Sequence, residues 1–355
     1  MKTILVTGGA GFIGSHLVEH LLDQTGHKVI NFDAMTYAAD HRALDRFRGH
    51  SRYVLEVGDI RDGTRLEQVF ARHTPDVVMH LAAESHVDRS VANPLTFVDT
   101  NVMGTAQLLT RARIHFETLS AEAKASFRFL HVSTDEVYGS LGSAGLFSER
   151  SPYRPSSPYS ASKAGSDHLV HAYGTTFGLP VLISHCSNNY GPRQFPEKLI
   201  PLMVVNALQG LPLPVYGDGR QVRDWLHVSD HVHALWLIAQ AGKPLETYCI
   251  GGNCEQTNID IVERICDAVD ARSAPLGAPR RTLIRFVTDR PGHDVRYAID
   301  ATKLSTELGW SPRRRFDEGL TETIEWYLGH ESWWRPLLGQ STRKGERSSA
   351  FVRLH

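Results

Sequence analysis

Residues 3–14 read Thr3-Ile4-Leu5-Val6-Thr7-Gly8-Gly9-Ala10-Gly11-Phe12-Ile13-Gly14, and this stretch decides the fold. Thr3–Thr7 is a short apolar run rich in β-branched residues, which predicts a strand. Gly8-x-x-Gly11-x-x-Gly14 is a glycine-rich turn, and Ile13, Leu17 and Leu21 then recur at helical spacing. Strand, glycine turn and helix in that order form a cradle for a dinucleotide pyrophosphate. Gly8 permits the tight turn, Gly11 lets the backbone approach the phosphates, and Gly14 lets the helix pack on the strand. The helix start adds free N–H groups and the positive end of its dipole. Residues 28–32 predict a second strand ending at Asp33, 19 residues beyond Gly14. A carboxylate there accepts from both adenosine ribose hydroxyls and repels a 2′-phosphate, which favours NAD over NADP. The third strand, 52–57, ends near Asp59-Ile60, placed to meet the adenine.

The same alternation continues. Residues 64–72 predict a helix, 76–81 a strand, 95–113 a long helical stretch, 127–132 a strand, 159–173 a helix and 181–185 a sixth strand. Such alternation predicts an α/β fold: a Rossmann-type doubly wound parallel sheet with helices on both faces. The second half is less regular and predicts a smaller, mostly C-terminal α/β substrate domain. Helices are expected at 199–208, 259–269, 301–308 and 316–328, and a strand followed by a helix over 225–241. The expected division is 1–187 for the NAD-binding domain, rejoined by about 225–250, and 188–224 with 251–338 for the substrate domain. Residues 339–355 are polar and are expected to form a mobile tail.

Composition removes several classes. The chain has 355 residues, with 38 Lys+Arg against 39 Asp+Glu and a net charge of -1. That balance lacks the basic surplus of a nucleic-acid binder. No apolar run reaches the ~20 residues of a membrane span. The apolar N-terminal stretch stops at Gly8-Gly9, short of a signal peptide's core, so a cytoplasmic chain is expected. Four scattered cysteines without a CxxC pair predict reduced thiols. His227 and His231 are four apart, but no carboxylate or cysteine completes a ligand set, so no metal is expected.

Tyr159-Ser160-Ala161-Ser162-Lys163 puts Tyr159 and Lys163 on one helical face. A tyrosine titrates near ~10 and is a poor base at neutral pH. A nearby ammonium and a nicotinamide cation both favour its phenolate, which could then take a substrate hydroxyl proton. Thr134-Asp135-Glu136 follows the fifth strand. Two adjacent carboxyls beside a Tyr/Lys pair suggest one general acid and one general base. Alcohol oxidation needs no such pair; elimination of water does.

Residues 7–15, 81–90, 133–139, 157–163, 187–192 and 195–201 resemble the extended short-chain dehydrogenase/reductases. Within these, the chain closely resembles the nucleotide-sugar 4,6-dehydratases, from residue 1 to about 328. Thr134-Asp135-Glu136 is the discriminating motif, because related 4-epimerases lack the acid pair. The resemblance implies tightly bound NAD, regenerated each turnover, and dTDP-glucose as the nucleotide-sugar substrate. It implies that Tyr159, tuned by Lys163, takes the O4 proton while C4 hydride leaves. Glu136 then removes the C5 proton, Asp135 protonates the departing C6 hydroxyl, and hydride returns to C6. Thr134 orients O4. A homodimer, no nucleic-acid partner and no membrane partner are expected.

The cofactor residues implied are Gly8, Gly11, Phe12, Ile13, Gly14, Asp33, Thr36, Asp59, Ile60, Leu81, Ala83, Ser85, Thr100, Tyr159, Lys163 and Asn189. The substrate residues implied are Ser85, His86, Thr134, Asn188, Glu197, Lys198, Leu199, Tyr216, Arg223, Asn258, Arg290, His293 and Tyr297. Asp88, beside His86, could also approach the sugar. Ala34 after Asp33 stands where many relatives carry Lys. A UDP-glucose 4,6-dehydratase and an NDP-sugar 4-epimerase are the enzymatic alternatives. An NAD-binding regulator is the alternative of another class, and it would need neither Tyr159/Lys163 nor the two carboxyls.

Overall fold

A computed structural model describes residues 1–290 and 292–343, with side chains for all of these but 41 and 339–343. The strands are β1 (Thr3–Thr7), β2 (Lys28–Asp33), β3 (Tyr53–Val57), β4 (Val77–His80), β5 (Arg128–Thr134), β6 (Val181–Cys186), β7 (Asn188–Tyr190), β8 (Leu213–Tyr216), β9 (Val222–His227), β10 (Thr247–Ile250), β11 (Glu255–Thr257) and β12 (Ile284–Val287). Seven of them form one parallel sheet in the order β3-β2-β1-β4-β5-β6-β10. The order reverses between β1 and β4, and a doubly wound sheet opens its ligand crevice at that point.

Both faces of this sheet are covered, so its strands are apolar on both sides. Leu17, Val18 and Leu21 of the helix Phe12–Gln24 pack with Leu235 and Ile238 of the helix Val228–Ala241 on one face. Leu66, Val69, Leu108, Leu109 and Val170 cover the other, from the helices Gly63–His73, Thr105–Thr118 and Pro158–Phe177. Truncating one of these buried leucines to Ala would cost ~2–5 kcal/mol.

A further core joins the helices Leu199–Gln209, Asn258–Asp270 and Phe316–Gly329 with β8 and β9. β9 lies between β11 and β7 in a small sheet, and β8 pairs with β12. Residues 228–250 lie with the first body: their helix packs beside Phe12–Gln24, and β10 adds to β6.

The structure refines three expectations. The long helical stretch over 95–113 is helical throughout but not regular: it divides into Pro94–Phe97, a wider π-helical turn Val98–Gly104, and Thr105–Thr118. Long-range bonds hold the wide turn: Asn101 Nδ2 donates to Glu84 O at 3.0 Å and to Ser162 Oγ at 2.9 Å. The fifth strand runs on to Thr134, because β5 stays paired with β6 through Thr134↔Cys186. The last helix, Glu331–Arg343, enters the stretch expected as tail. It is anchored by buried Trp334, whose indole donates to Tyr327 O at 2.8 Å, and by buried Leu337. Residues 344–355 of that expected tail lie outside the described residues. No helix among the described residues is long and apolar enough to cross a membrane.

Candidate active site

A cleft of about 340 Å³ opens along the carboxyl ends of β1 to β6. Every residue expected to hold the cofactor lines it, from Gly8 to Asn189, as do Thr134, Asp135, Glu136, Tyr159 and Lys163. Of the expected substrate residues, Ser85, Thr134, Asn188, Glu197 and Lys198 line it too.

The phosphate end is built from backbone. Gly8 sits at φ +73°, and a Cβ there would lie 2.7 Å from Ala82 N. A Cβ on Gly14 would overlap the Gly8 carbonyl, so no other residue lets the helix start this close to β1. The helix Phe12–Gln24 begins with no side-chain cap and no acid in its first turn. Its leading N–H groups therefore suit a diphosphate. Asp33 closes the turn: its Oδ2 accepts from Ala10 N at 2.9 Å and its Oδ1 from Met35 N at 2.8 Å. Burial raises its carboxyl above the usual range, against the pull of those two amides. A hydroxyl-rich ribose would satisfy the remaining lone pairs, so the cradle and its acid suit NAD. Asp59 is paired with Arg61, which also lines the cleft and was not foreseen.

The reactive end joins β5 to the helix Pro158–Phe177. Thr134 Oγ1 accepts from Glu136 N at 3.3 Å and caps the short 3₁₀ turn Asp135–Tyr138. The facing helix starts from a capping box between Ser157 and Ser160, with Pro158 in its first turn. That start places Tyr159 and Lys163 one turn apart, both buried. Lys163 Nζ donates to Val132 O at 2.9 Å.

The charges are uneven in a useful way. Burial pushes the Asp135 carboxyl well above its usual range, and Glu136 and Asp224 push in the same direction. Burial also raises Glu136, but Arg290, Lys198 and Arg223 draw it back. Both carboxyls are thus raised, and only Glu136 has three cationic side chains among its strongest influences, an environment that suits one proton donor and one base. Burial, Glu136 and Cys186 hold the Tyr159 phenol well above 10, and only a Thr134 hydrogen bond opposes them among its strongest influences. Phenolate formation on this tyrosine thus needs added positive charge.

The other expected substrate residues lie outside the cleft lining. Arg223 is buried, donates to Val222 O at 2.8 Å and to Asp294 O at 2.9 Å, and stacks on Tyr297 at 4.3 Å. Tyr297 donates to Asp294. Tyr216 donates to Asp88 at 3.3 Å, Arg290 pairs with Asp88 at 3.5 Å, and His293 stands 2.6 Å from Asp289. Leu199 and Asn258 open their helices, and Leu199 packs against the further core. His86 caps the helix Val87–Ala92 by accepting from Arg89 N at 3.4 Å. Of these groups, Arg290 and Arg223 reach the reactive end through their charge on Glu136.

Sequence reasoning missed His231, which stands 2.8 Å from Asn189 Oδ1 and fixes that side chain. It also missed Asn101 and Cys186. His227 stands 2.7 Å from Ser229 Oγ at the start of its helix, and no cluster of metal-ligating groups forms among the described residues.

Residues 5–323 match the family described as GDP-mannose 4,6 dehydratase. The dTDP-glucose 4,6-dehydratase of Neisseria meningitidis serogroup B is 53% identical over 347 residues, covering 97% of this chain and 98% of that protein. The crystal structure of dTDP-glucose 4,6-dehydratase from Bacillus anthracis, in complex with NAD, superposes with a TM-score of 0.85 at 45% identity, covering 95% of this chain and 100% of that one. DesIV, the dTDP-glucose 4,6-dehydratase of Streptomyces venezuelae, also solved with NAD, gives 0.86 at 45% identity, covering 94% and 99%.

Proposed function

Since the chain belongs to the GDP-mannose 4,6-dehydratase family, we propose that it dehydrates dTDP-glucose to dTDP-4-keto-6-deoxyglucose, with NAD as its cofactor. The observation that carries this is the pair Asp135/Glu136, both raised by burial, in one cleft with Tyr159. A 4-epimerase has no use for that pair.

The turn from Gly8 to Gly14 holds the NAD diphosphate, and Asp33 holds its adenosine ribose. When bound, NAD would supply a reversible hydride acceptor, so that C4 is oxidised and C6 reduced by the same two electrons. Tyr159 takes the O4 proton, with Thr134 holding the oxygen and Lys163 supplying positive charge. The 4-ketone then acidifies C5. Glu136 takes the C5 proton, and Asp135 protonates the leaving C6 hydroxyl, which departs as water. Glu136 afterwards returns a proton to C5. Burial of Thr134, Asp135, Tyr159 and Lys163 keeps bulk water from quenching the intermediate. Glu197 and Lys198 hold the sugar and diphosphate, with Arg223 and Arg290 balancing their charge.

The same reading makes the protein a cytoplasmic homodimer, a division supported by two features. All four cysteines are free, as in reducing compartments. Val91, Leu95, Val98 and Met103 are exposed on successive turns of the segment that packs on the Tyr159 helix, apolar surface of the kind that pairs with a second copy.

The test is a mass-spectrometric assay of purified protein, without added cofactor, against dTDP-glucose, UDP-glucose and GDP-mannose. Loss of one water from dTDP-glucose alone is expected. Loss from another nucleotide sugar would change the substrate, and no loss even with added NAD would overturn the function.

A further inference from the structure

Behind Lys163 the fold buries a negative charge that the reaction above does not use. Asp167 lies one helical turn beyond Lys163 and is 1% exposed. Its Oδ2 accepts from Ser133 Oγ at 3.0 Å and from Tyr153 OH at 3.2 Å, and stands 2.9 Å from His185 Nε2. Its Oδ1 stands 3.2 Å from His131 Nε2. That same nitrogen stands 3.3 Å from Lys163 Nζ.

One ring nitrogen cannot serve both neighbours at once. With a lone pair it accepts from Lys163; with a proton it donates to Asp167. The other nitrogen, His131 Nδ1, is buried without a hydrogen-bond partner, and so is Asp167 Oδ1, which faces Nε2. His131 thus spends its hydrogen-bonding capacity at the one point where the ammonium and the carboxylate meet. A fully buried ammonium loses its charge unless an opposite charge holds it. Burial draws the Lys163 ammonium down to about 8, and Asp167 is the strongest influence opposing that fall, ahead of Cys186. Burial pushes Asp167 up, but the neighbouring His131 and His185 outweigh it and keep the carboxyl below its usual range. Asp167 therefore stays ionised wherever the enzyme works. The other titratable groups facing this pair are Tyr159, Tyr138 and Tyr153, with His80 on β4 at 5.1 Å from His131 and Cys186 on β6.

We propose that Asp167, acting through His131, is the positioning residue that keeps Lys163 protonated in its dry pocket and thereby sets the alkaline limit of turnover. The proposal rests on the dehydratase reading, in which Lys163 serves Tyr159 as a cation. Activity then needs charged Lys163 and is lost as pH rises through the lysine's titration. Without Asp167 that titration falls to lower pH, and the alkaline limb moves with it.

The experiment is the pH dependence of kcat for dTDP-glucose, with NAD-loaded wild type, Asp167→Asn, Asp167→Glu and His131→Asn. Tyrosinate absorbance is followed in parallel, with Tyr159→Phe as the blank. Asp167→Asn should move the alkaline limb down by about one unit or more, with KM and bound NAD unchanged. Asp167→Glu should recover part of the shift. His131→Asn should move the limb in the same direction by less, and it decides the matter should Asp167→Asn not fold. A limb that stays at the wild-type pH, whatever happens to kcat, would overturn the proposal. Absence of turnover by the wild type would instead overturn the dehydratase reading.

Discussion

The Ala10 amide donates to Asp33 Oδ2 at 2.9 Å, so the glycine turn after β1 and the end of β2 form one unit. Asp33 thus has two tasks, shaping the turn and receiving the ribose. Asp33→Ala should lose both. A hydrogen bond to a charged group is worth ~1.5–3 kcal/mol, so NAD affinity should fall at least about tenfold, read by calorimetry on stripped protein. Unchanged NAD affinity would remove Asp33 from the site.

Gly14→Ala addresses the other half of that unit. The new methyl would meet the Gly8 carbonyl and Gly9 Cα, both backbone. The helix start must then retreat from β1, and purified protein should carry little NAD. A variant that keeps its full NAD content would show that the close approach is dispensable.

Tyr159→Phe keeps the ring and removes the proton acceptor. Losing a positioned acid–base group costs about 10²–10⁴ in rate. The variant should retain NAD and lose dTDP-glucose turnover by that factor. Normal turnover would sink the role of Tyr159.

Glu136→Gln separates the steps. It should still oxidise C4, so reduced-cofactor absorbance should build up on mixing with dTDP-glucose, while water loss stalls. Unimpaired dehydration would exclude Glu136 as the C5 base.

Asp135 yields a stability prediction. Its carboxyl titrates higher in the fold than in the unfolded chain. The fold therefore favours the protonated form, and stability falls as pH rises above the unfolded value of ~3.9. Asp135→Asn removes the charge with little change of shape. Its melting temperature should exceed that of wild type at neutral pH, with the gap closing toward about pH 4. An equal gap at all pH values would contradict the burial penalty. The same variant should lose dehydration, as stabilising changes in strained sites do.

Much of this was legible in the sequence because it depends on local chemistry. The strand, the spacing of Gly8, Gly11 and Gly14, and the terminal Asp33 lie within about thirty residues and each has a backbone reason. The reactive set was legible as residue types; the assignment of Asp135 as acid and Glu136 as base came from resemblance. What escaped depends on distant partners. The wide turn Val98–Gly104 is held by Asn101 bonds to Glu84 and Ser162, which no periodicity reveals. The partners of Arg223, Arg290, His293 and Tyr297 (Asp294, Asp88, Asp289 and each other) are likewise distant in sequence or irregularly spaced, so no pattern shows them. One overlooked signal was available: His80 and His131 are polar residues inside strands buried on both faces, and such residues need a reason.

The decisive measurement follows a deuterium label. dTDP-glucose deuterated at C4 is converted in ordinary water, and the product is read by NMR. Deuterium should appear at C6 of a 4-keto-6-deoxy product, because the atom removed from C4 never leaves the closed site. Deuterium retained at C4 of an inverted sugar, or lost to solvent, would contradict the dehydratase mechanism.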